Sequence, residues 1–374
     1  MKHVCFIYPP SYHYRKPFHE LLRSILAQHD VNYTVFYSDL GKKDRFKNDT
    51  VEIDWGKKVP LSRFPYEIEY QHVLRVARYY DLVIIQQENK LAANYLLIIA
   101  SVFGLMKVAY FGHGRNFQSR NPNGRSERFK RFWATKVDWW FGYTDETRRH
   151  VESLDFPPER ITVFNNAVDT SEIRRFADAV TSEKLGLLRS ELALIGTHIG
   201  VFVGGIYPDK RMDFLIAAAD QVRKRIPEFE LLVIGGGSDL QLVENLAQDR
   251  PWIRVLGPRF GQEKVELMML GHLFLMPGLV GLAVIDAATA GLPTVTTAFP
   301  YHSPEIAYIN DGLNGVIVQD WKNSAAYGNA VADLFTAPER LNAMRAAALR
   351  MADSLTIETM AERFAEGVLK VLSA

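Results

Sequence analysis

Short apolar runs with strand character alternate with helical segments along this sequence, and the alternation restricts the fold more than any other feature. The strand-like runs fall at 4–8, 32–37, 81–86, 107–111, 139–143 and 161–169 in the first half, and at 199–205, 230–234, 253–257, 272–276 and 294–297 in the second. Repeated β-loop-α order predicts a parallel sheet with helices on both faces. Ligands of such sheets bind beyond the carboxyl ends of the strands.

The alternation stops and restarts once, which predicts two α/β domains. We expect an N-terminal Rossmann-like domain at 1–169, a helical connector at 170–197, a C-terminal Rossmann-like domain at 198–355 and a C-terminal helix at 356–374 that packs back on the first domain. A chain of 374 residues is long enough for two domains that each bury a full core. Their strand-end loops are expected to line a shared cleft, which is the default ligand site.

Charge and cysteine content exclude several classes of protein. With 44 basic and 43 acidic residues, the chain has no overall bias toward nucleic acid. Its single cysteine, Cys5, excludes an internal disulfide and a cysteine-clustered metal site. The first residues lack the pattern of a secretory signal, so we expect a cytoplasmic protein. The apolar run Tyr95–Met106 is shorter than the ~20 residues that a bilayer crossing needs, so a buried helix is expected there.

The segment Pro277–Gly315 carries the clearest ligand-binding pattern. A loop from Gly278 to Gly281 leads into a helix with Asp286 in its early turns, and a second polar loop, 302–305, follows the next strand. Backbone amides exposed by glycine, a helix N-terminus and a nearby acid are the parts that hold a phosphate and a ribose. The segment therefore predicts a nucleotide-sugar site.

Motifs in the second half carry a family resemblance. They are Phe202–Asp213, Val233–Gly237, Val255–Gly257, Pro277–Pro293, Pro304–Ile306 and Asp311–Gly315. With the turn Asn165–Asp169, they resemble the retaining GT-B glycosyltransferases of family four, or glycosyl transferases group 1, of the type that builds bacterial polysaccharides and glycolipids. The resemblance is close in the second half and loose in the first. It implies two Rossmann-like, doubly wound domains that face each other across a cleft, with 1–169 on the acceptor side and 198–355 binding the donor nucleotide.

The sequence departs from this family at two positions of the donor site. The family's arginine and lysine that hold the donor diphosphate correspond to Gly205 and Lys210, so only the lysine is present. Its two glutamates, separated by seven residues, correspond to Gly278 and Asp286, so one is absent and the other is shortened. The departures concern the sugar-contacting half of the site more than the nucleotide-contacting half.

Lys210 and His113 are the predicted catalytic residues. Lys210 would stabilise the charge that develops on the leaving diphosphate; the alternative is a solvated lysine after a turn. His113 lies between two glycines at a strand end, where the resemblance implies a histidine near the donor sugar; the alternative is a structural turn residue.

The remaining predicted ligands contact the donor or the acceptor. Asp286 would accept hydrogen bonds from the ribose hydroxyls; alternatively it only complements the helix dipole. The other predicted donor ligands are Gly204, Gly205, Arg211, Gly257, Gly278, Leu279, Val280, Gly281 and Glu305. Residues 278–281 would offer backbone amides, and Arg211 or Arg115 would replace the missing positive charge. The predicted acceptor ligands are Tyr12, His13, Arg15 and Arg115.

The segment 115–136 is strongly basic. It contains seven lysines and arginines and one acid, and Phe129, Phe132 and Trp133 recur in it at helical spacing. These aromatic residues face either the protein core or a membrane surface. Peripheral membrane contact would suit a lipid-linked acceptor.

Taken together, the residues and the resemblance predict a hexosyltransferase. It would move a hexose from a nucleoside-diphosphate sugar to a hydroxyl of a glycan, a glycolipid or a small molecule. No cofactor or metal is expected, because the Asp-x-Asp motif and metal-spaced His/Glu clusters are missing from the sequence. Retention at the anomeric carbon is implied by the resemblance alone. Two alternatives stay open: a GT-B-fold partner or sugar-nucleotide-binding subunit with weakened catalysis, and a sugar-nucleotide epimerase.

Overall fold

The structure is a computed structural model that describes residues 1–8, 13–39, 51–117, 120 and 124–374. The chain divides into two compact units. Unit 1 comprises Met1–Asp169 and Thr356–Ala374, and unit 2 comprises Thr170–Leu355. Each unit is built around its own parallel sheet.

Unit 1 is an α/β unit. Its described strands are β1 (Lys2–Tyr8), β2 (Val31–Tyr37), β3 (Lys57–Lys58), β4 (Leu61–Arg63), β5 (Glu69–Gln71), β6 (Leu82–Gln86), β7 (Lys107–Gly112), β8 (Trp139–Gly142) and β9 (Ile161–Val163). Its described helices before residue 170 are α1 (Lys16–Ala27), α2 (Leu74–Ala77), α3 (Ala92–Val102), α4 (Arg125–Ala134) and α5 (Asp145–Glu152). The strand order is β3-β2-β1-β6-β7-β8-β9, all parallel, and β4 and β5 form a separate antiparallel pair.

One helix expected in unit 1 is shorter than predicted and begins later. Apolar spacing predicts a helix over 70–79, but β5 occupies the start of this segment and only the short α2 follows. The buried side chain of Gln71 donates to the carbonyl of Tyr8 (3.3 Å) and to the hydroxyl of Ser38 (3.0 Å). These two bonds tie β5 to the ends of β1 and β2, so tertiary contacts override the local helical pattern.

The apolar run Tyr95–Met106 is not the fully buried helix that its composition predicts. Leu97 and Ile98 of α3 are buried, whereas Leu96 and Ile99 are exposed. One side of α3 is therefore buried, and the side that carries Leu96 and Ile99 is exposed.

Unit 2 lies entirely within the described residues and has a six-stranded sheet. Its strands are β10 (His198–Val203), β11 (Phe229–Ile234), β12 (Ile253–Gly257), β13 (Leu273–Leu275), β14 (Thr294–Thr297) and β15 (Gly315–Val318). Its helices are α6 (Ser171–Ala179), α7 (Ser182–Glu191), α8 (Met212–Arg225), α9 (Leu240–Ala247), α10 (Gly261–Met269), α11 (Ala283–Thr289), α12 (Ser324–Phe335) and α13 (Pro338–Ser354). The strand order is β12-β11-β10-β13-β14-β15, all parallel. This doubly wound order confirms the predicted fold class.

The segment predicted as a connector, 170–197, forms α6 and α7 of unit 2. The N–H groups of Ile195 and Gly196 donate to the buried carboxylate of Glu230 on β11, at 2.9 and 2.7 Å. Arg254 on β12 donates to the carbonyl of Leu192 (2.9 Å). The end of the segment is therefore packed against the sheet and is not an open linker.

The last helix, α14 (Ile357–Ser373), returns to unit 1. Its Phe364 is fully buried and stacks on Phe141 of β8, with ring centroids 4.0 Å apart. Phe6, Phe111 and Phe164 also have ring centroids within 6.3 Å of Phe364. Apolar burial of this kind is the main contribution that α14 makes to unit 1.

We expect Phe364→Ala to destabilise unit 1 by about 3–5 kcal/mol, because it removes a buried ring and leaves a cavity among other aromatic rings. The free energy of unfolding is measured by urea denaturation. Phe64→Ala is the matched control, because Phe64 is exposed in the same unit. Equal stability of the two variants would show that α14 does not depend on this contact.

Candidate functional site

The predicted donor ligands of unit 2 meet at one edge of its sheet. The strand order reverses between β10 and β13, so the loops that follow these strands lie side by side. The loop after β10 contains Gly204, Gly205 and Lys210, and the loop after β13 contains Gly278–Gly281. Both loops therefore lie at the topological switch point.

Glycine backbone lines the first part of this edge. The N–H of Gly204 donates to the carbonyl of Ile234 (3.0 Å), and the N–H of Gly235 donates to the carbonyl of Gly257 (2.9 Å). These bonds hold the ends of β10, β11 and β12 together. A methyl group at Gly204 would meet no other atom within 4 Å, so open space adjoins this backbone.

Lys210 is a buried cation at the switch point. Its side chain is only 5% exposed, and its Nζ donates to the carbonyl of Leu279 at 2.5 Å. Burial lowers the pKa of Lys210 to about 8, and the carboxylate of Asp209 acts in the opposite direction. Lys210 is therefore not the solvated lysine of the alternative interpretation.

Gly278 is the point where the two switch-point loops touch. A methyl group at this position would lie 2.1 Å from the carbonyl oxygen of Asp209 and 2.7 Å from the carbonyl carbon of Lys210. The N–H of Leu279 donates to the same Asp209 carbonyl (2.8 Å). The glutamate that the family resemblance leads us to expect at this position would not fit between the two backbones.

His302 fixes the other side of the same loop. The N–H of Val280 donates to its Nδ1 (3.0 Å), so the proton lies on Nε2, which donates to the carbonyl of Thr297 (2.8 Å). Burial lowers the pKa of His302 to about 4, so the ring is neutral. The amides of Leu279 and Val280 therefore donate within the protein, and the expectation that they face a ligand is wrong.

Arg211 also holds this loop in place. Its guanidinium donates to the carbonyl of Trp321 (2.7 Å) and lies 4.1 Å from the ring centroid of Phe214. A longer contact, 3.5 Å, reaches the carbonyl of Pro277. Burial lowers the pKa of Arg211. These contacts occupy the side chain that was predicted to replace the missing diphosphate-binding arginine.

Asp286 is paired with Lys264, a residue that sequence reasoning missed. Its Oδ2 lies 3.0 Å from Nζ of Lys264 on α10, and both side chains are mostly buried. The pair orients the carboxylate at the start of α11. Motif spacing could not identify Lys264, because α10 follows β12 at one edge of the sheet and α11 follows β13, three places away in the strand order.

The other predicted donor ligands occupy the same edge or its neighbourhood. Glu305 is buried in a short 3₁₀ segment, Pro304–Tyr308, after β14. A methyl group at Gly205 would lie 3.0 Å from the ring of Tyr207, whereas one at Gly281 would meet nothing within 4 Å. Open space therefore adjoins Gly281 as it does Gly204.

Unit 1 brings two predicted ligands to a second cluster. His113 follows β7, and its ring centroid lies 4.0 Å from that of Tyr143, which follows β8. Its Nδ1 is buried and has no hydrogen-bond partner among the described residues. Burial, with smaller effects from Lys130 and Arg15, lowers the pKa of His113 to about 3. The neutral ring therefore offers an uncommitted polar atom.

Arg15 also contacts Tyr143. Its guanidinium is buried, lies 5.6 Å from the Tyr143 ring centroid and reaches its hydroxyl at 3.5 Å. It also lies 5.7 Å from the ring centroid of Phe111. Tyr143 was not among the predicted ligands, although its position one residue after a strand is a signal that could have identified it.

The remaining predicted acceptor ligands do not contact this cluster within the described part of the chain. His13 and Arg115 are exposed, and Arg115 stacks on Phe117 at 4.4 Å. Tyr12 lies outside the described residues. Within the described ranges, no group of three His, Cys, Asp or Glu side chains has an arrangement that could hold a metal ion.

Gly278→Ala is expected to destabilise unit 2 by about 1–3 kcal/mol, because the added methyl group overlaps the backbone of Asp209. Gly281→Ala in the same loop is the control, since its methyl group enters open space. Thermal unfolding of both variants measures the difference. Equal melting temperatures would contradict the close backbone approach at Gly278.

Comparison with known proteins agrees with this architecture. Residues 197–337 match the sequence model of the family described as Glycosyl transferases group 1. The D-inositol 3-phosphate glycosyltransferase of Corynebacterium aurimucosum is 28% identical over 197 residues, which cover 48% of this chain and 45% of that protein. The GDP-mannose-dependent alpha-(1-6)-phosphatidylinositol monomannoside mannosyltransferase of Mycolicibacterium smegmatis is 28% identical over 234 residues, 59% of each chain. The chain thus spans about half the length of the curated relatives it matches.

The fold is shared over almost the whole chain. Anabaena Alr3699/HepE, solved in complex with UDP, aligns with a TM-score of 0.70 at 16% identity and covers 99% of this chain and 100% of its own. This similarity confirms the predicted fold. Residues 197–337 are thus similar to glycosyl transferases group 1, and the two α/β units have the GT-B fold.

Proposed function

We propose that this protein transfers a hexose from a nucleoside-diphosphate sugar to a hydroxyl acceptor, and that unit 2 binds the donor. The observation that carries the proposal is the buried ammonium group of Lys210 at the switch point. Keeping a charged lysine in a buried site costs free energy of folding. A purely structural residue at this position would not need the charge. An anionic ligand offsets that cost when it binds.

We propose that the donor diphosphate binds beside Lys210 and the open backbone at Gly204. A fixed cation in a poorly solvated site interacts strongly with a nearby anion, because little water screens the charge. Gly205 has no side-chain charge, and Arg211 donates to the carbonyl of Trp321. Lys210 is therefore proposed as the principal cation for the donor diphosphate.

We propose that the ribose of the donor binds at Asp286. Lys264 holds one carboxylate oxygen, Oδ2, at 3.0 Å, which leaves Oδ1 to accept from the ribose hydroxyls. A hydrogen bond to a charged acceptor contributes about 1.5–3 kcal/mol. The named activities of the relatives include a GDP-mannose-dependent mannosyltransferase, whereas the neighbouring fold was solved with UDP. We accordingly propose a nucleoside-diphosphate sugar without assigning its base.

The proposed reaction replaces one bond at the anomeric carbon by another. The bond from that carbon to the diphosphate oxygen breaks, the acceptor oxygen bonds to the same face, and the acceptor proton passes to the departing diphosphate. Lys210 stabilises the charge that develops on the leaving group, so the proposal requires no bound metal. In unit 1, the neutral Nδ1 of His113 is proposed to accept from a sugar hydroxyl, and Arg15 is proposed to contact the acceptor.

A panel of UDP-, GDP- and TDP-sugars tests the proposal. Transfer to an extract-derived acceptor, or slow donor hydrolysis, is expected with at least one donor. Nucleotide binding without turnover of any donor would instead favour a sugar-nucleotide-binding subunit, the alternative suggested by Gly205 and Gly278. Release of an epimerised nucleotide sugar would favour an epimerase.

Donor binding is expected to weaken as pH rises through about 8, because Lys210 then loses its proton. Above this pH, affinity for the nucleoside diphosphate falls up to about tenfold per pH unit. Titration calorimetry between about pH 7 and 9.5 measures the profile. Lys210→Met should bind weakly with no such dependence, and Lys224→Met, at an exposed lysine of α8, should behave like the original protein.

The lowered pKa of Lys210 also makes the stability of the protein depend on pH. Because the pKa of Lys210 is lower in the folded protein than its ordinary value, the buried charge destabilises the free protein below about pH 8. Stability gains as pH rises from about 8 toward the ordinary pKa of lysine. Lys210→Met is therefore not expected to lower the melting temperature at pH 7. In the binding experiment, an affinity of the original protein for nucleoside diphosphate that does not change between about pH 7 and 9.5 would contradict the proposed role of Lys210.

Asp286→Asn is expected to weaken donor binding roughly ten- to hundredfold, through loss of charged hydrogen bonds to the ribose. Lys264→Met should weaken it less, and should have no further effect in the Asp286→Asn background if Lys264 acts by orienting Asp286. Asp220→Asn is the control, because Asp220 forms a comparable ion pair with Arg250. Additive effects of the Lys264 and Asp286 substitutions would refute the orienting role.

A further inference from the structure

Helix α3 of unit 1 has an apolar side that faces solvent. The helix has no charged residue, and its buried side contains Ala93, Leu97 and Ile98. A helix that is apolar on all sides is normally buried all round, in a protein core or a membrane. In this structure, the opposite side of α3 is uncovered.

The uncovered side continues beyond the end of the helix. Phe103 is 75% exposed and Leu105 is 74% exposed. Between them, Gly104 has a positive φ of 71°, its N–H donates to the carbonyl of Ser101 (2.8 Å), and the N–H of Leu105 donates to the carbonyl of Ala100 (3.0 Å). This paired capping arrangement holds the two side chains outside the protein in a defined position.

Helix α4 adjoins α3 and adds aromatic residues to the same surface. Tyr95 of α3 has its ring centroid 5.1 Å from those of both Phe129 and Trp133. Phe129 and Phe132 are exposed. The α3–α4 face is defined by the exposed apolar residues Leu96, Ile99, Val102, Phe103, Leu105, Phe129 and Phe132.

The charges next to this face are predominantly basic. Arg125, Arg128 and Lys136 are exposed on or just after α4, and Nζ of Lys136 lies 5.7 Å from the ring centroid of Phe132. The one acid of α4, Glu127, is buried. Apolar and aromatic side chains flanked by arginine and lysine are typical of a surface that lies on an anionic bilayer.

We propose that the α3–α4 face binds the surface of an anionic membrane, with its apolar side chains inserted at the headgroup level. A second copy of this chain is a poorer occupant, because a symmetric contact would bring the same basic residues of both copies together. Among the described residues, no helix is long and apolar enough to cross a membrane.

This inference extends the sequence-based hypothesis for 115–136, because it adds α3 as the larger apolar contributor. Membrane binding does not depend on the proposed transfer reaction. A further consequence does rest on that function: an acceptor hydroxyl carried by a membrane lipid would be presented to a protein already bound at the membrane.

Vesicle co-sedimentation of the full chain tests the proposal. We expect binding to vesicles of phosphatidylcholine with phosphatidylglycerol, weaker binding to phosphatidylcholine alone, and weakening of the former by salt. The double variant Phe103→Ser, Leu105→Ser should lower partitioning about tenfold or more, because two apolar side chains no longer insert. Arg128→Glu with Lys136→Glu should lower it at least about fivefold per charge and remove most of the salt dependence.

Matched controls use exposed residues of unit 2. Leu187→Ser with Ile195→Ser removes two exposed apolar side chains, and Lys224→Glu with Arg340→Glu reverses two exposed charges. Both should sediment like the original protein. Failure of the original protein to bind anionic vesicles would overturn the proposal, as would equal losses in the controls. Dissociation of a dimer by the Phe103, Leu105 variant, seen by analytical ultracentrifugation, would assign the face to self-association instead.

A nucleotide-binding measurement separates this test from that of the proposed function. The Phe103, Leu105 variant should keep its affinity for nucleoside diphosphates, because these residues belong to unit 1 and are far in sequence from the donor loops of unit 2. Loss of vesicle binding with retained nucleotide affinity supports the surface, whether or not transfer is observed.

Discussion

Contact between two backbones at the switch point of unit 2 determines the geometry of the candidate donor site. Gly278 allows the loop after β13 to pack directly on the residues around Lys210, and the N–H of Leu279 and the side chain of Lys210 bond across this contact. His302 and Arg211 hold the outer side of the same loop. Because every partner is buried or bonded, the position of the Lys210 ammonium follows from packing, and little freedom remains to either loop.

This packing explains why the glutamate expected at Gly278 is missing. A side chain at Gly278 would overlap the carbonyl of Asp209, so the close approach of the loops and a glutamate at this position exclude each other. The cation at Lys210 is instead buried more deeply than a surface lysine, and its pKa falls accordingly. With fewer charged groups in the site, anion binding depends on the weak solvation of the Lys210 ammonium. That burial lowers the stability of the free protein.

Unit 1 combines two different surfaces on one sheet. At the carboxyl ends of β7 and β8, His113, Tyr143 and Arg15 form a polar cluster in which the buried Nδ1 of His113 has no hydrogen-bond partner in the described part of the chain. On the helical layer, α3 and α4 expose apolar residues beside arginine and lysine. Both are unfavourable for the isolated protein, the first because it buries a polar atom and the second because it exposes apolar area. Their coexistence is consistent with a protein that meets a polar ligand and a lipid surface.

The sequence alone determined the α/β order and the loops that contain Lys210 and Asp286, because apolar periodicity, glycine position and motif spacing are local properties of the chain. Only the tertiary structure decided which groups in those loops remain available to a ligand. The amides of Leu279 and Val280 bond internally, Lys264 pairs with Asp286 from another helix, and β5 takes the start of a locally favoured helix. Each of these contacts involves residues that are distant in sequence. Such contacts could not be predicted from local patterns, because they depend on where the fold places both partners.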